Sequence, residues 1–306
     1  MNKSDKVHNK ILKSLIMEGG NAVPDVVRIK KNDIPKTIKD FEKNVLFEIL
    51  GNDFPPDSIF TLGSTGKKPD SGDIDIAIDS NKIKGSILYN LLKINEKCAS
   101  LGYVSCVNTI NYKMVHVAYP QKGYKNKFVQ IDVLFTNTPE FTKFFMFSPT
   151  NKDSKYKGAH RNDLLHAISK VISYEPIYED KQGNILKWRQ NDIKDNGYFN
   201  IIKTLVDNAG HRLKYKSTDE DLEEGYAQEE ETKLITDDVN SVIKILFGEG
   251  FKDVDIDTFE KCFDIIKNNN KFIHKNLSEN ILKECAKSLN DKKDRLEFPK
   301  ELKKYL

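Results

Sequence analysis

The sequence predicts an α+β fold: a small mixed β-sheet with helices, followed by a mostly helical C-terminal domain. Three observations predict it. Asp73-Ile74-Asp75-Ile76-Ala77-Ile78-Asp79 alternates strictly, with isoleucines on one parity and three aspartates plus an alanine on the other. Successive side chains of a strand point to opposite faces, so one face can pack a core while the other presents carboxylates. Phe128-Val129-Gln130-Ile131-Asp132-Val133-Leu134-Phe135 is a second strong strand, and after Pro139 the composition shifts. A chain of 306 residues is long enough for two domains. Residues 1–140 are assigned to the sheet-bearing core with N-terminal helices, and 141–306 to a mostly helical domain forming the other wall of a cleft.

The elements follow in order. Val7, Ile11, Leu12, Leu15 and Ile16 share one side of a short helix over 6–17, which Gly19-Gly20-Asn21 ends. Ile38, Phe41, Val45, Leu46 and Ile49 fall at helical spacing between Pro35 and Leu50, and Gly51-Asn52-Asp53 closes that helix. Pro55-Pro56-Asp57 turns the chain into a strand, Ile59 to Leu62, and a polar loop, 65–72, leads to the aspartate strand. A helix over 83–98 carries Ile87, Leu88, Leu91, Leu92 and Ile94. Residues 103–110 and 112–119 read as a hairpin, and 121–126 as a polar turn before the second strong strand. Further on, helices are expected over 162–173, 200–209, 237–247, 257–267 and 278–289, with a hairpin over 174–190 tipped by Gln182-Gly183-Asn184 and an exposed acidic stretch over 217–231.

Composition excludes several classes. Charged residues make up 31% of the chain, but the net charge of +3 is too small to imply nucleic-acid binding by itself. Cys98, Cys106, Cys262 and Cys285 are scattered, with no C-x-x-C pair and no histidine at zinc-ligand spacing, so they read as free thiols in a reducing compartment. No apolar run approaches the ~18 residues of a membrane span, and the N-terminal stretch is not that of a signal peptide. A soluble, cytoplasmic protein with no membrane partner is expected.

The chemistry gathers on three acids. Asp73 and Asp75 would project from one face roughly 6–7 Å apart along the strand, and two like charges so placed repel unless a cation lies between them. Asp132 sits on the other strong strand, with Gln130 on the same face. If the strands pair, three carboxylates converge on a point able to hold two divalent cations about 3.5–4 Å apart. All-oxygen donors favour magnesium or manganese over zinc. Gly63-Ser64 ends the preceding strand. Gly63 would let the backbone approach a phosphate, Ser64 could donate from hydroxyl and amide, and a helix starting near Ser64 would add a positive dipole end. An isolated Asp-x-Asp is ordinarily a solvated strand edge, and it is the addition of Gly63-Ser64 and Asp132 that favours a site. Asp79 reads as a helix N-cap or a solvated residue. His116 and Cys106 read as packed strand residues. Gly66-Lys67-Lys68 lacks the glycine and hydroxyl of a P-loop.

Leu62-Gly63-Ser64, the variable loop Thr65 to Gly72, Asp73-Ile74-Asp75 and the later Asp132 resemble the nucleotidyltransferases of the DNA polymerase beta superfamily. The resemblance covers roughly residues 35–140, and its loop is short for the family. It implies a palm-like core and a two-metal, NTP-dependent, pyrophosphate-releasing transferase. Asp73 and Asp75 would bind both metal ions, Asp132 would hold the catalytic ion and help activate the nucleophile, and Gly63 and Ser64 would contact the triphosphate. The superfamily also takes phosphate-binding lysine and base-stacking tyrosine from the region after the third carboxylate. Here that region is Ser154-Lys155-Tyr156-Lys157-Gly158-Ala159-His160-Arg161, where Lys155, Lys157 and Arg161 are expected to touch phosphate or nucleic acid; the competing reading is a solvated helix N-terminus.

Trp188 reads as a partly buried anchor rather than a base-stacking residue. The expected reaction moves an NMP from an NTP, ATP among the candidates, to an acceptor hydroxyl, first an RNA or tRNA 3′ end. The alternatives are synthesis of cyclic or linear oligonucleotide signals, transfer to a protein or small molecule, and a non-catalytic assembly module retaining the fold.

Overall fold

The structure, a computed structural model, describes residues 22–108, 112–150, 152–172, 177–179, 185–187, 200–207, 210–216, 230–273, 277–292 and 296–306. The expected helix over 6–17, Trp188 and most of the acidic stretch over 217–231 lie outside the described residues. Contacts divide the chain into two compact units, Met1–Pro139 and Glu140–Leu306.

The first unit is built on a five-stranded mixed sheet. Its strands are β2 (Ile59–Thr61), β4 (Asp73–Asp79), β5 (Ser105–Val107), β6 (Met114–Pro120) and β7 (Phe128–Thr136), in the order β2-β4-β7-β6-β5. β4 and β7 are parallel neighbours and every other pair is antiparallel. Two short strands, β1 (Ile29–Lys30) and β3 (Asp70–Ser71), pair with each other outside this sheet.

Side-chain parity does the sorting. Ile74, Ile76 and Ile78 of β4, Val115, Val117 and Tyr119 of β6, and Val129, Ile131, Val133 and Phe135 of β7 are all buried in one apolar cluster. Phe41, Val45, Leu46 and Leu50 of the N-terminal helical segment complete it, with Leu91, Ile94 and Cys98 of α3 (Ile87–Ser100). Each such side chain contributes about 1.5–3 kcal/mol relative to leaving it exposed. Because the period is two, burying the isoleucines of β4 sends Asp73, Asp75 and Asp79 to the opposite face.

Several boundaries differ from the sequence reading. The expected 35–50 helix is α1 (Ile34–Phe41), a π-helical turn (Glu42–Leu46) and α2 (Phe47–Leu50) in succession. α3 starts later than position 83, because Ser86 caps it, its Oγ accepting from the Tyr89 amide at 3.1 Å. Leu88 and Leu92, counted toward its apolar side, are exposed. Asp79 is not a helix cap. Its Oδ1 accepts from the Asn81 backbone and side-chain amides at 2.9 and 2.8 Å, closing a turn at the end of β4.

The second unit contains α4 (Pro139–Phe145, which begins at the boundary), α5 (Gly158–Ile172), α6 (Val239–Phe247), α7 (Phe259–Asn268), α8 (Asn270–Ile273), α9 (Leu277–Asp291) and a terminal 3-10 helix (Lys300–Tyr305). Leu164, Leu165 and Ile168 pack with Val242, Leu246, Phe259, Ile266, Ile281 and Leu289 in its core. Helices α5, α6, α7 and α9 match the expected 162–173, 237–247, 257–267 and 278–289 apart from end residues. β8 (Ile177–Glu179) and β9 (Ile185–Lys187) form the expected antiparallel hairpin.

The helix expected over 200–209 is instead β10 (Asn200–Asp207), which joins β11 (Gly210–Lys216) and β12 (Glu230–Thr236) in an antiparallel sheet. Ile201, Ile202, Thr204 and Val206 are β-branched, which favours a pleated strand over a helix. Glu230 and Glu231, read as part of an acidic loop, belong to β12.

Candidate active site

The parallel pairing of β4 and β7 sets Asp75 beside Asp132 and Asp73 beside Gln130. One carboxylate oxygen from each of Asp73, Asp75 and Asp132 lies within 4.8 Å of the other two. Asp132 is buried, while Asp73 and Asp75 are half-buried. At that spacing and an effective dielectric of ~20, each carboxylate pair repels by about 3 kcal/mol. Burial, and then the charges of Asp73 and Asp132, push the Asp75 carboxyl well above its ordinary range. A bound cation would convert this repulsion into attraction. Three carboxylates are a hard oxygen donor set that fits magnesium or manganese.

The turn before the loop lies against the same carboxylates. Gly63 has φ +58°, and a Cβ built on it would stand 2.6 Å from Asp75 Oδ2. Only glycine tolerates that backbone conformation and that approach together. The Asp75 amide donates to Thr65 Oγ1 at 2.9 Å, and the Leu62 amide donates to the Asp75 carbonyl at 2.9 Å. Ser64 does not open a helix as expected. It begins a turn in which the Lys67 amide donates to the Ser64 carbonyl at 3.0 Å. The loop that follows is held at its far end, where Arg28 Nε donates to Asp70 Oδ1 at 2.6 Å and the Lys31 amide to the Pro69 carbonyl at 2.9 Å.

Asp132 is held from two sides. Gln130 Nε2 donates to its Oδ1 and Oδ2 at 2.8 and 3.1 Å, and His116 Nδ1 lies 2.8 Å from Oδ1. His116 was read as a packed strand residue, yet it stands directly opposite Asp132 across the β6–β7 pair. The register held the signal: a hairpin folded about Tyr124 sets these two residues opposite each other. Thr65 was likewise passed over, and only the contact with the Asp75 amide marks it.

Thr65 and Gly66 also line a cavity of about 490 Å³, together with Ile34, Pro35 and Ile38 of α1 and Glu42. None of the three carboxylates lines it.

The basic segment of the second unit divides three ways. Arg161 is buried, at 1% exposure. Its Nε donates to the Ile256 carbonyl at 2.7 Å and its Nη1 to the Phe144 carbonyl at 2.9 Å, and its guanidinium stacks on the Phe144 ring. A guanidinium so enclosed braces α5 and does not reach phosphate, contrary to expectation. Lys155 is exposed but pairs with Glu301 at 2.6 Å. Tyr156, the interleaved aromatic, is buried and donates its hydroxyl to the other oxygen of Glu301 at 2.5 Å. Lys157 is exposed. The backbone turns into α5 at Gly158, where a Cβ would stand 2.2 Å from the Phe147 carbonyl oxygen.

No family model matches the chain, and no curated protein matches it. Among solved structures, the chain is similar to Leishmania infantum polymerase beta in two states. Against the ternary P/T complex it is 15% identical, covers 64% of this chain and 67% of that one, and has a TM-score of 0.36. Against the ternary gap complex it is 15% identical, covers 57% and 54%, and has a TM-score of 0.35. The chain thus spans just over half the length of the second. Among the described residues, no helix is long and apolar enough to cross a membrane.

Proposed function

We propose that the chain is a divalent-metal-dependent nucleotidyltransferase, moving a nucleoside monophosphate from an NTP to an acceptor hydroxyl with release of pyrophosphate. One observation carries this reading: three carboxylates from two parallel neighbouring strands converge within 4.8 Å, beside a turn whose glycine abuts one of them. Asp73, Asp75 and Asp132 would hold magnesium or manganese. Such ions lower the pKa of an attacking hydroxyl and stabilise the charge on the departing pyrophosphate. Gly63 brings the backbone close to the carboxylates, and Ser64 offers a hydroxyl to the triphosphate. Asp132, fixed by Gln130 and His116, orients the acceptor hydroxyl. Rate enhancement of this kind comes from positioning and electrostatic stabilisation of an in-line displacement.

An RNA or tRNA 3′ end is the first acceptor to test, with Lys155 and Lys157 the exposed cations of the basic segment. The purified full chain is incubated with each α-labelled NTP and magnesium or manganese, alone and with total RNA, beside an Asp75→Asn control. Metal-dependent label in RNA, absent from the control, supports the reading. Label in a small product or in protein keeps the transferase and replaces the acceptor. No transfer to any acceptor, with no metal-dependent NTP binding, overturns it in favour of an assembly module.

A further inference from the structure

Asp132 sits at the centre of a hydrogen-bond chain that crosses three segments of the first unit. The Ala22 amide donates to Gln130 Oε1 at 2.8 Å, with the Val23 amide at 3.4 Å. Those donors fix the amide orientation, since an accepting Oε1 on one side leaves Nε2 to face Asp132. Nε2 then reaches Oδ1 at 2.8 Å and Oδ2 at 3.1 Å. From the next strand, His116 Nδ1 approaches Oδ1 at 2.8 Å, and the imidazole must carry its hydrogen there because an ionised carboxylate only accepts. The two oxygens are therefore unequal: Oδ1 takes two short contacts, and Oδ2 takes only the longer branch from Gln130. Both donors are well shielded, His116 with 14% of its side chain exposed and Gln130 fully buried. Their bonds therefore compete little with water.

We propose that His116 is a positioning residue for Asp132, acting with Gln130 to saturate Oδ1 and present Oδ2 as the single metal-ligating oxygen. This inference rests on the nucleotidyltransferase reading of the same site. It adds a residue outside the Gly-Ser and Asp-x-Asp pattern, on a strand that pattern does not include. Without His116 the carboxylate can rotate about its Cβ–Cγ bond, and the geometry of a three-carboxylate site loosens. Loss of a partner that orients a ligand typically costs 10–100-fold in metal affinity or activity.

The test reads metal binding directly, by loss of the free Mn²⁺ paramagnetic resonance signal on titration with the full chain. Wild type, Asp75→Asn, His116→Leu, His116→Gln and Gln130→Met are compared, each checked for folding by circular dichroism. Wild type binding and D75N failing to bind is the result expected of the site itself. H116L is then expected to weaken Mn²⁺ binding 10–100-fold, and H116Q, whose amide can donate to the same oxygen, to recover most of it. The same order is expected in kcat, with KM for NTP little changed. If wild type binds Mn²⁺ and H116L binds it equally well, the positioning role is overturned while the metal site stands. If H116L does not fold, H116Q and Q130M decide: wild-type affinity in Q130M, or affinity in a folded H116Q as poor as in D75N, overturns it. If wild type binds no Mn²⁺ either alone or with NTP, the nucleotidyltransferase reading falls, and this inference falls with it.

Discussion

Gly63 and Asp75 are in contact: the α-carbon of one faces the Oδ2 of the other so closely that a methyl group on Gly63 would stand 2.6 Å from that oxygen. The backbone at Gly63 is also left-handed, at φ +58°. Gly63→Ala therefore meets two obstacles. The conformation costs about 1–2 kcal/mol for an L-residue, and the methyl displaces a carboxylate that must sit within a fraction of an ångström of its place. A misplacement of about 1 Å costs about 10²-fold in rate. The expected outcome is a folded protein with its transfer rate down about 100-fold and its stability down about 1–2 kcal/mol. Single-turnover transfer and urea unfolding measure the two. A rate within threefold of wild type would show that the turn is not part of the site.

The crowding of Asp73, Asp75 and Asp132 makes metal and stability inseparable. In metal-free protein, Asp75→Asn removes an acid whose ionised form burial and the charges of Asp73 and Asp132 disfavour, so at neutral pH the variant is expected to melt higher than wild type in EDTA. Saturating magnesium or manganese should reverse the order. A ligand at 100 times its Kd stabilises the native state by about 2.7 kcal/mol, and D75N should gain little of it. Differential scanning calorimetry with and without metal checks the crossing. Equal melting temperatures in EDTA would mean that the three carboxylates do not repel as their spacing implies.

The carboxylate face was legible because strand parity is a rigid rule. Once Ile74, Ile76 and Ile78 are committed to a core, Asp73 and Asp75 have no other side to occupy, and Asp132 follows from the same alternation among Val129, Ile131 and Val133. His116 was not legible, since its role depends on register across a hairpin, which local pattern leaves open. Arg161 was misread for a related reason: a basic residue beside an aromatic looks alike in sequence whether its guanidinium meets phosphate or two backbone carbonyls. The strand over Asn200–Asp207 was taken for a helix because short apolar segments carry little periodicity, and there the β-branched residues were the better guide.

Arg161→Met separates a brace from a phosphate ligand. Removing the guanidinium leaves the Ile256 and Phe144 carbonyls without their donors inside an apolar core. The cost is about 1–3 kcal/mol for each unsatisfied group, so a total loss of about 2–6 kcal/mol in stability is expected. KM for NTP should stay within twofold in the folded protein. Denaturant midpoints and steady-state kinetics read the two effects independently. A raised KM with unchanged stability would restore Arg161 to the substrate.

Glu301 ties the terminal 3-10 helix to the segment ahead of α5. Partial burial raises its pKa, but the hydrogen bonds from Lys155 and Tyr156 outweigh that and lower it from 4.5 to about 2. A carboxylate whose folded pKa is depressed contributes its stability in full above the unfolded value and loses it as pH falls toward the folded one. The window is therefore between about pH 4.5 and about pH 2. Glu301→Gln removes the ionised partner at every pH, so it should be less stable than wild type at pH 6, and the gap should narrow steadily as the pH is lowered to 2.5. Lys155 and Tyr156 stay protonated throughout that range, so neither can produce the narrowing. Urea midpoints of the two proteins along a pH series give the answer directly. A gap that stays constant from pH 6 to 2.5 would mean that Glu301 stabilises the unit without its charge, and that the contacts to Lys155 and Tyr156 are not what lowers its pKa.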